Sequence, residues 1–68
     1  MNSILIRKEE MEPFMLIGRW EKDIGFILTE YEKYGDEYDE ISQLVYINEK
    51  ALRKAFSNKL SRMRRLHD

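Results

Sequence analysis

Apolar residues recur at helical spacing through the first half of the chain. After Pro13, one side of a helix about six turns long collects Ile17, Trp20, Ile24, Ile27, Leu28, Tyr31 and Tyr34. Pro13 suits the first turn of a helix, where its missing N–H is no loss. Gly35 suits the position that ends one. The pattern therefore predicts a helix over residues 13–34.

This first helix carries apolar residues on more than one side. Met15 and Phe26 project away from its main apolar face, and Gly18 and Gly25 lie seven residues apart on a shared side, where a neighbouring backbone can approach closely. A helix of this kind is typically buried between partners or exposes an apolar patch. We expect these four residues to form a protein interface, most simply in a homo-oligomer.

Two further helices are predicted, over residues 37–46 and 49–66. Asn48 is suited to cap the start of the last helix, since its side-chain oxygen can accept a free N–H of the first turn. The apolar positions of the last helix recur at the spacing of a single buried face: Leu52, Ala55, Phe56, Leu60, Met63 and Leu66. The fold class expected is all-α, a three-helix domain spanning residues 1–68. Residues 1–12 form an N-terminal arm of uncertain conformation.

Charge is unevenly distributed along the chain, although the net charge is only −1. Residues 9–49 hold twelve acidic side chains, whereas residues 50–68 hold seven basic ones and one acid. The outer face of the last helix is cationic, and this segregation is typical of a nucleic-acid site. Candidate DNA contacts on that face are Lys50, Arg53, Lys54, Ser57, Arg64 and Arg65. The alternative is that the acidic stretch and the basic helix attract each other. Lys59 lies within the apolar arc, and we expect it to meet one of the acids.

The segment 40–56 resembles the helix-turn-helix unit of AraC-type and TetR-type regulators. The matching positions are Ile41, Leu44, Val45, Ile47, Asn48, Leu52 and Phe56. This resemblance implies that the last helix enters the major groove of DNA. Where the family usually has glycine in the turn, this sequence has Tyr46.

Other classes of function find little support. There is no cysteine, and the single histidine, His67, is next to the last residue, so we expect no catalytic site, no metal site and no cofactor. A chain of 68 residues leaves little room for a small-molecule substrate pocket. No apolar run has the length of a membrane span, and a cytoplasmic location is expected.

Three functions remain open at this point. The leading expectation is a small DNA-binding transcriptional regulator that acts as a dimer. One alternative is a non-enzymatic protein-binding module or inhibitor that uses the apolar first helix and the acidic central segment. The other is a purely structural homo-oligomer.

Overall fold

The structure, a computed structural model, describes residues 2–67, with side chains through residue 65. Four strands precede one helix: β1 (Ser3–Met11), β2 (Phe14–Glu21), β3 (Gly25–Tyr34), β4 (Glu37–Tyr46) and α1 (Glu49–His67). The strands form one antiparallel sheet in the order β1-β2-β3-β4. The chain is therefore a meander sheet with a C-terminal helix.

The prediction of an all-α fold is wrong. Residues 13–34 form β2, a turn and β3 rather than a helix, and residues 37–46 form β4. Most of the predicted N-terminal arm, Ser3–Met11, is the strand β1. Only the helix predicted over 49–66 is confirmed, as α1; the side chain of Leu66 lies outside those described.

The error has a physical cause in the two central strands. Both β2 and β3 bury apolar side chains on both of their faces, so adjacent residues are buried together: Met15 with Leu16, and Ile27 with Leu28. Strict alternation of apolar and polar residues is lost under these conditions, as in strands covered on both sides. The remaining pattern imitates helical spacing.

Three short turns join the strands. Glu12 and Pro13, linked by a cis peptide bond, join β1 to β2, so Pro13 does not begin a helix. Residues 22–24 join β2 to β3, with Asp23 at φ 71°. Gly35 stands at the first of the two central positions between β3 and β4 with φ 64°, which is the glycine position of a type II′ hairpin turn rather than the end of a helix.

α1 packs against one face of the sheet. Its residues Leu52, Phe56, Leu60 and Met63 form a buried cluster with Leu16 and Leu28 of the central strands. A Cβ on Gly18 would lie 3.3 Å from Phe56 Cδ2, so the missing side chain lets the helix approach β2 closely. Burial of this apolar surface is the main source of stability for the layer contact.

An ion pair fixes the lateral position of α1. Lys59 Nζ lies 2.6 Å from Glu30 Oε1 on β3, and Ser42 Oγ lies 3.4 Å from Lys59 Nζ. The expectation that Lys59 meets an acid is thus confirmed. Because the three side chains come from α1, β3 and β4, the contact favours one register of the helix on the sheet.

The helix-turn-helix interpretation is wrong as well. Its first helix is β4, and Leu44 and Ile47 are exposed instead of sharing a buried cluster with Leu52 and Phe56. Tyr46 is the last residue of β4 and contacts the core from there. A strand cannot supply the first helix that the motif requires, so no helix pair exists to dock on DNA in that geometry.

Candidate nucleic-acid interface

The start of α1 is capped as its sequence predicts. Asn48 Oδ1 accepts a hydrogen bond from the Ala51 N–H at 2.8 Å, and the Asn48 carbonyl accepts one from the Leu52 N–H at 3.2 Å. These bonds give hydrogen-bond partners to two backbone N–H groups at the start of the helix, those of Ala51 and Leu52. The cap places the first outward-facing lysine, Lys50, directly after the break that follows β4.

The outward side of α1 carries a cationic surface that we call the basic face. It consists of six exposed side chains: Lys50, Arg53, Lys54, Arg62, Arg64 and Arg65. All six residues that the sequence proposes as DNA contacts, including Ser57, are exposed. From Lys50 to Arg65 the helix advances about 22 Å at 1.5 Å per residue. The basic face is therefore a ridge along the helix with cations towards both ends, separated by the exposed polar residues Ser57, Asn58 and Ser61.

Most of these cations are not neutralised by carboxylates. Arg53 Nε lies 2.8 Å from Glu49 Oε2 in an exposed pair one turn apart. Within residues 2–65, the other five members of the basic face form no ion pair. Lys59, which is not part of the basic face, pairs with Glu30 on β3. The basic face keeps most of its charge available for a polyanion.

Two arginines near the basic face are not among the DNA contacts predicted from the sequence. Arg62 is exposed with the other arginines, but only its place in the last turns of the helix suggests it. Arg7 lies on β1, with its guanidinium carbon 4.6 Å from the centroid of the Phe56 ring and Nη1 3.4 Å from Ser57 Oγ. No local sequence pattern predicts a contact between segments this far apart in the chain. Arg7 also pairs with Glu9 on the same strand, with Nη2 3.4 Å from Glu9 Oε1, so its charge is balanced within β1.

The four residues proposed as a protein interface do not share one surface. Met15 lies on the sheet face away from α1, whereas Gly18 lies beneath the helix against Phe56. Gly25 begins β3 at φ 116°, and Phe26 packs beside the core. The first helix that would have brought them together is absent, because this segment is a hairpin.

A shallow apolar cavity of about 260 Å³ opens beside the start of α1. Its walls are Ile4, Ile6, Trp20 and Phe26 from the sheet, with Glu49 at the helix. A β-bulge after Leu5 brings Ile6 to this side of β1. The volume is just below the lower end of small-molecule pockets, about 300 Å³. It has the size for a single apolar side chain or ring.

No group of three or more His, Cys, Asp or Glu side chains in the described part of the chain is arranged to hold a metal ion. The helix at residues 49–67 is too polar to cross a bilayer, and no other described segment forms a membrane-spanning helix.

Comparison with known proteins adds no relative. A scan against family models, a search of curated proteins and a search of solved structures each found no match to this chain.

Proposed function

We propose that this protein binds DNA through the basic face of α1, with the helix lying in the major groove. The observation that carries the proposal is the row of exposed cations, five of them without a carboxylate partner among the described side chains. A helix 10–12 Å across suits a groove about 12 Å wide. Phosphates on either side of the groove would then meet side chains along the ridge.

The two ends of the basic face have different roles in this proposal. Arg53 and Lys54 lie in the first turns of α1, next to the capped end, where the residues of a groove-bound helix commonly reach base edges. Arg53 is free to leave Glu49, since an exposed pair of this kind contributes only about 0.3–0.5 kcal/mol. Arg64 and Arg65 lie three turns further along and contact phosphates, which carry affinity but no sequence information.

Fluorescence anisotropy with labelled duplexes of several sequences tests this assignment. Arg64→Gln and Arg65→Gln should weaken binding about equally on every duplex, whereas Arg53→Gln and Lys54→Gln should reduce the differences between duplexes. Lys8→Gln is the matched control, because Lys8 is an exposed cation on the sheet face opposite α1. Equal loss with Lys8→Gln and with the α1 variants would refute the assignment to α1.

A protein-binding module is the second candidate, and the cavity beside α1 favours it. Ile4 at the cavity wall is exposed, and Trp20 and Phe26 supply aromatic surface for an inserted apolar side chain. The same titration separates the two candidates. If duplex DNA does not bind even at low salt, the proposed DNA binding is refuted and binding of a protein segment at the cavity becomes the better account.

A further inference from the structure

Exposed apolar side chains collect at one end of the molecule. The strand register places Ser3, Glu21 and Gly25 in one terminal row, so β1 and β3 begin where β2 and β4 end. Six of the eight exposed large apolar residues in the described part of the chain lie in the first four rows from this end or in its two connections: Ile4, Leu5, Ile24, Leu44, Val45 and Ile47. We call these six residues the apolar end.

The two connections at this end form its tips. Ile47 is 90% accessible and directly precedes the cap of α1, and Ile24 is 53% accessible in the turn between β2 and β3. The Ile24 N–H donates to the Glu21 carbonyl at 3.2 Å, and the Lys22 N–H donates to the Asn2 carbonyl at 2.8 Å. Because these bonds tie the turn to the strands beside it, Ile24 is held on a defined projection.

The apolar end exposes side chains on both faces of the sheet. Leu5 and Val45 share a row on the face away from α1, whereas Ile4 and Leu44 lie on the face that α1 covers. A partner sheet or a helix groove covers one face, but a bilayer surface met end-on covers both faces and both tips together. At about 3.3 Å per residue, the four rows extend about 10 Å from the tip. This matches the depth of about 5–10 Å to which apolar side chains enter the boundary between headgroups and acyl chains.

Charge identifies the kind of bilayer. Residues 19–26 and 44–54 together hold five cations and three acids, whereas the other described side chains hold seven cations and nine acids. Two of the three acids are paired with arginines, and the third is Asp23. Three lysines of this end form no ion pair among the described side chains: Lys22, Lys50 and Lys54. The apolar end therefore carries a net positive charge, which suits anionic headgroups.

We infer that the apolar end inserts into the surface of a bilayer that contains anionic lipid, with the strands and α1 standing away from the surface. Ile24 and Ile47 enter the acyl boundary, and Lys22 meets the headgroups beside them. The acidic turn at residues 36–37 then lies at the far end of the sheet, away from the negative surface. Arg64 lies about 22 Å along α1 from its first residue, so the last turns of the helix stay free. This inference does not depend on the proposed DNA binding.

Two exposed isoleucines provide a matched pair of variants. Ile47 lies at a tip, whereas Ile41, 46% accessible, lies on β4 in the opposite half of the sheet. Co-sedimentation of the whole chain with vesicles of equal parts phosphatidylcholine and phosphatidylserine measures binding. Ile47→Ser should weaken binding at least about fivefold, because an inserted side chain is lost, and Ile41→Ser should leave it unchanged. Circular dichroism should show that both variants stay folded.

A lysine outside the basic face separates this site from the DNA site. Lys22→Gln should weaken binding to the same vesicles about fivefold, since one cation near an anionic surface is lost, and should leave DNA binding unchanged. Lys8→Gln is the control, because Lys8 lies in the middle of β1 and pairs with Glu10. Equal loss of vesicle binding with Lys8→Gln and Lys22→Gln overturns the orientation.

Trp20 reports which end of the molecule is inserted. It is the single tryptophan of the chain and lies in the second row from the tip, paired with Ile4. Vesicles with brominated acyl chains should therefore quench its fluorescence. No binding to the anionic vesicles at low salt, binding without quenching of Trp20, or equal loss with Ile41→Ser and Ile47→Ser overturns the inference.

Two other kinds of contact are distinguished by the same variants. If Arg64→Gln and Arg65→Gln abolish vesicle binding but Ile47→Ser does not, the chain adsorbs through the basic face and the inference is overturned. If the chain is a dimer without lipid and Ile47→Ser dissociates it in sedimentation velocity, the apolar end is a contact between copies, which overturns the inference as well.

Discussion

The ion pair between Lys59 and Glu30 gives the sharpest test of how α1 is held on the sheet. Only 28% of the Lys59 side chain and 14% of the Glu30 side chain are accessible, and Nζ and Oε1 are 2.6 Å apart. Exposed pairs contribute about 0.2–1 kcal/mol. Breaking a fully buried pair costs about 3–5 kcal/mol, because one charge is left without a partner. The Lys59–Glu30 pair is partly buried, so we expect the cost of breaking it to lie between those two ranges.

We expect Lys59→Met to lower the free energy of unfolding by about 2 kcal/mol, since methionine keeps the apolar stem and leaves Glu30 unpaired. For a chain of this size that corresponds to a fall in Tm of roughly 8–16 °C. The control is Arg53→Met, which removes the exposed pair with Glu49 on the same helix and should cost less than about 0.5 kcal/mol.

Urea denaturation of Lys59→Met, Glu30→Gln and the double variant measures the coupling directly. The double variant should be more stable than the sum of the two single losses predicts, because neither charge is then left alone. Additive losses, or a loss with Lys59→Met no larger than with Arg53→Met, would show that the pair does not hold the helix.

Three further changes test other parts of the structure. Phe56→Ala should cost about 3–5 kcal/mol in urea denaturation, because Phe56 is 1% exposed in the core; a loss below about 1 kcal/mol would contradict the packing of α1. Asn48→Ala should cost about 1 kcal/mol, and Asn48→Asp should retain most of the cap; equal losses would show that the bond to Ala51 is unimportant. The Tyr34 hydroxyl donates to Glu32 Oε1 at 2.6 Å, and this bond, followed by the charge of Glu32, raises the pKa of Tyr34 above its ordinary value of 10. Glu32→Gln should lower that pKa in an NMR titration of the Tyr34 ring, and an unchanged value would refute the contact.

The C-terminal helix could be predicted from sequence because all its signals are local. A capping asparagine, a single apolar face and a cationic outer face occur within twenty residues. These features need no knowledge of the rest of the fold. For the same reason the exposure of the candidate DNA contacts followed from the helical pattern alone.

The sheet was missed because its central strands are apolar on both faces. The turn residues predict strands where the apolar spacing predicts a helix. Gly35-Asp36 between two apolar segments is a typical two-residue hairpin loop. Turns at residues 12–13, 22–24 and 35–36 then recur at nearly even spacing, as in a meander. These turn positions alone predict strands in the segments between them.

Contacts between distant segments could not be obtained from sequence patterns. The Arg7 guanidinium over the Phe56 ring joins residues forty-nine positions apart, and the cavity beside α1 depends on a bulge in β1. The contact and the cavity both depend on how the strands are paired and on where the helix lies over them.

The salt dependence of DNA binding tests the central functional claim most directly. If the four unpaired cations of the basic face other than Lys54, which faces base edges, contact phosphates, log K should fall with log salt concentration with a slope of about −3.6, at about 0.9 per contact. Replacing Arg62, Arg64 and Arg65 together by glutamine should bring the slope to about −0.9, whereas Lys8→Gln should leave it unchanged. A wild-type slope near zero, or the same slope in the triple variant, would contradict DNA binding through α1.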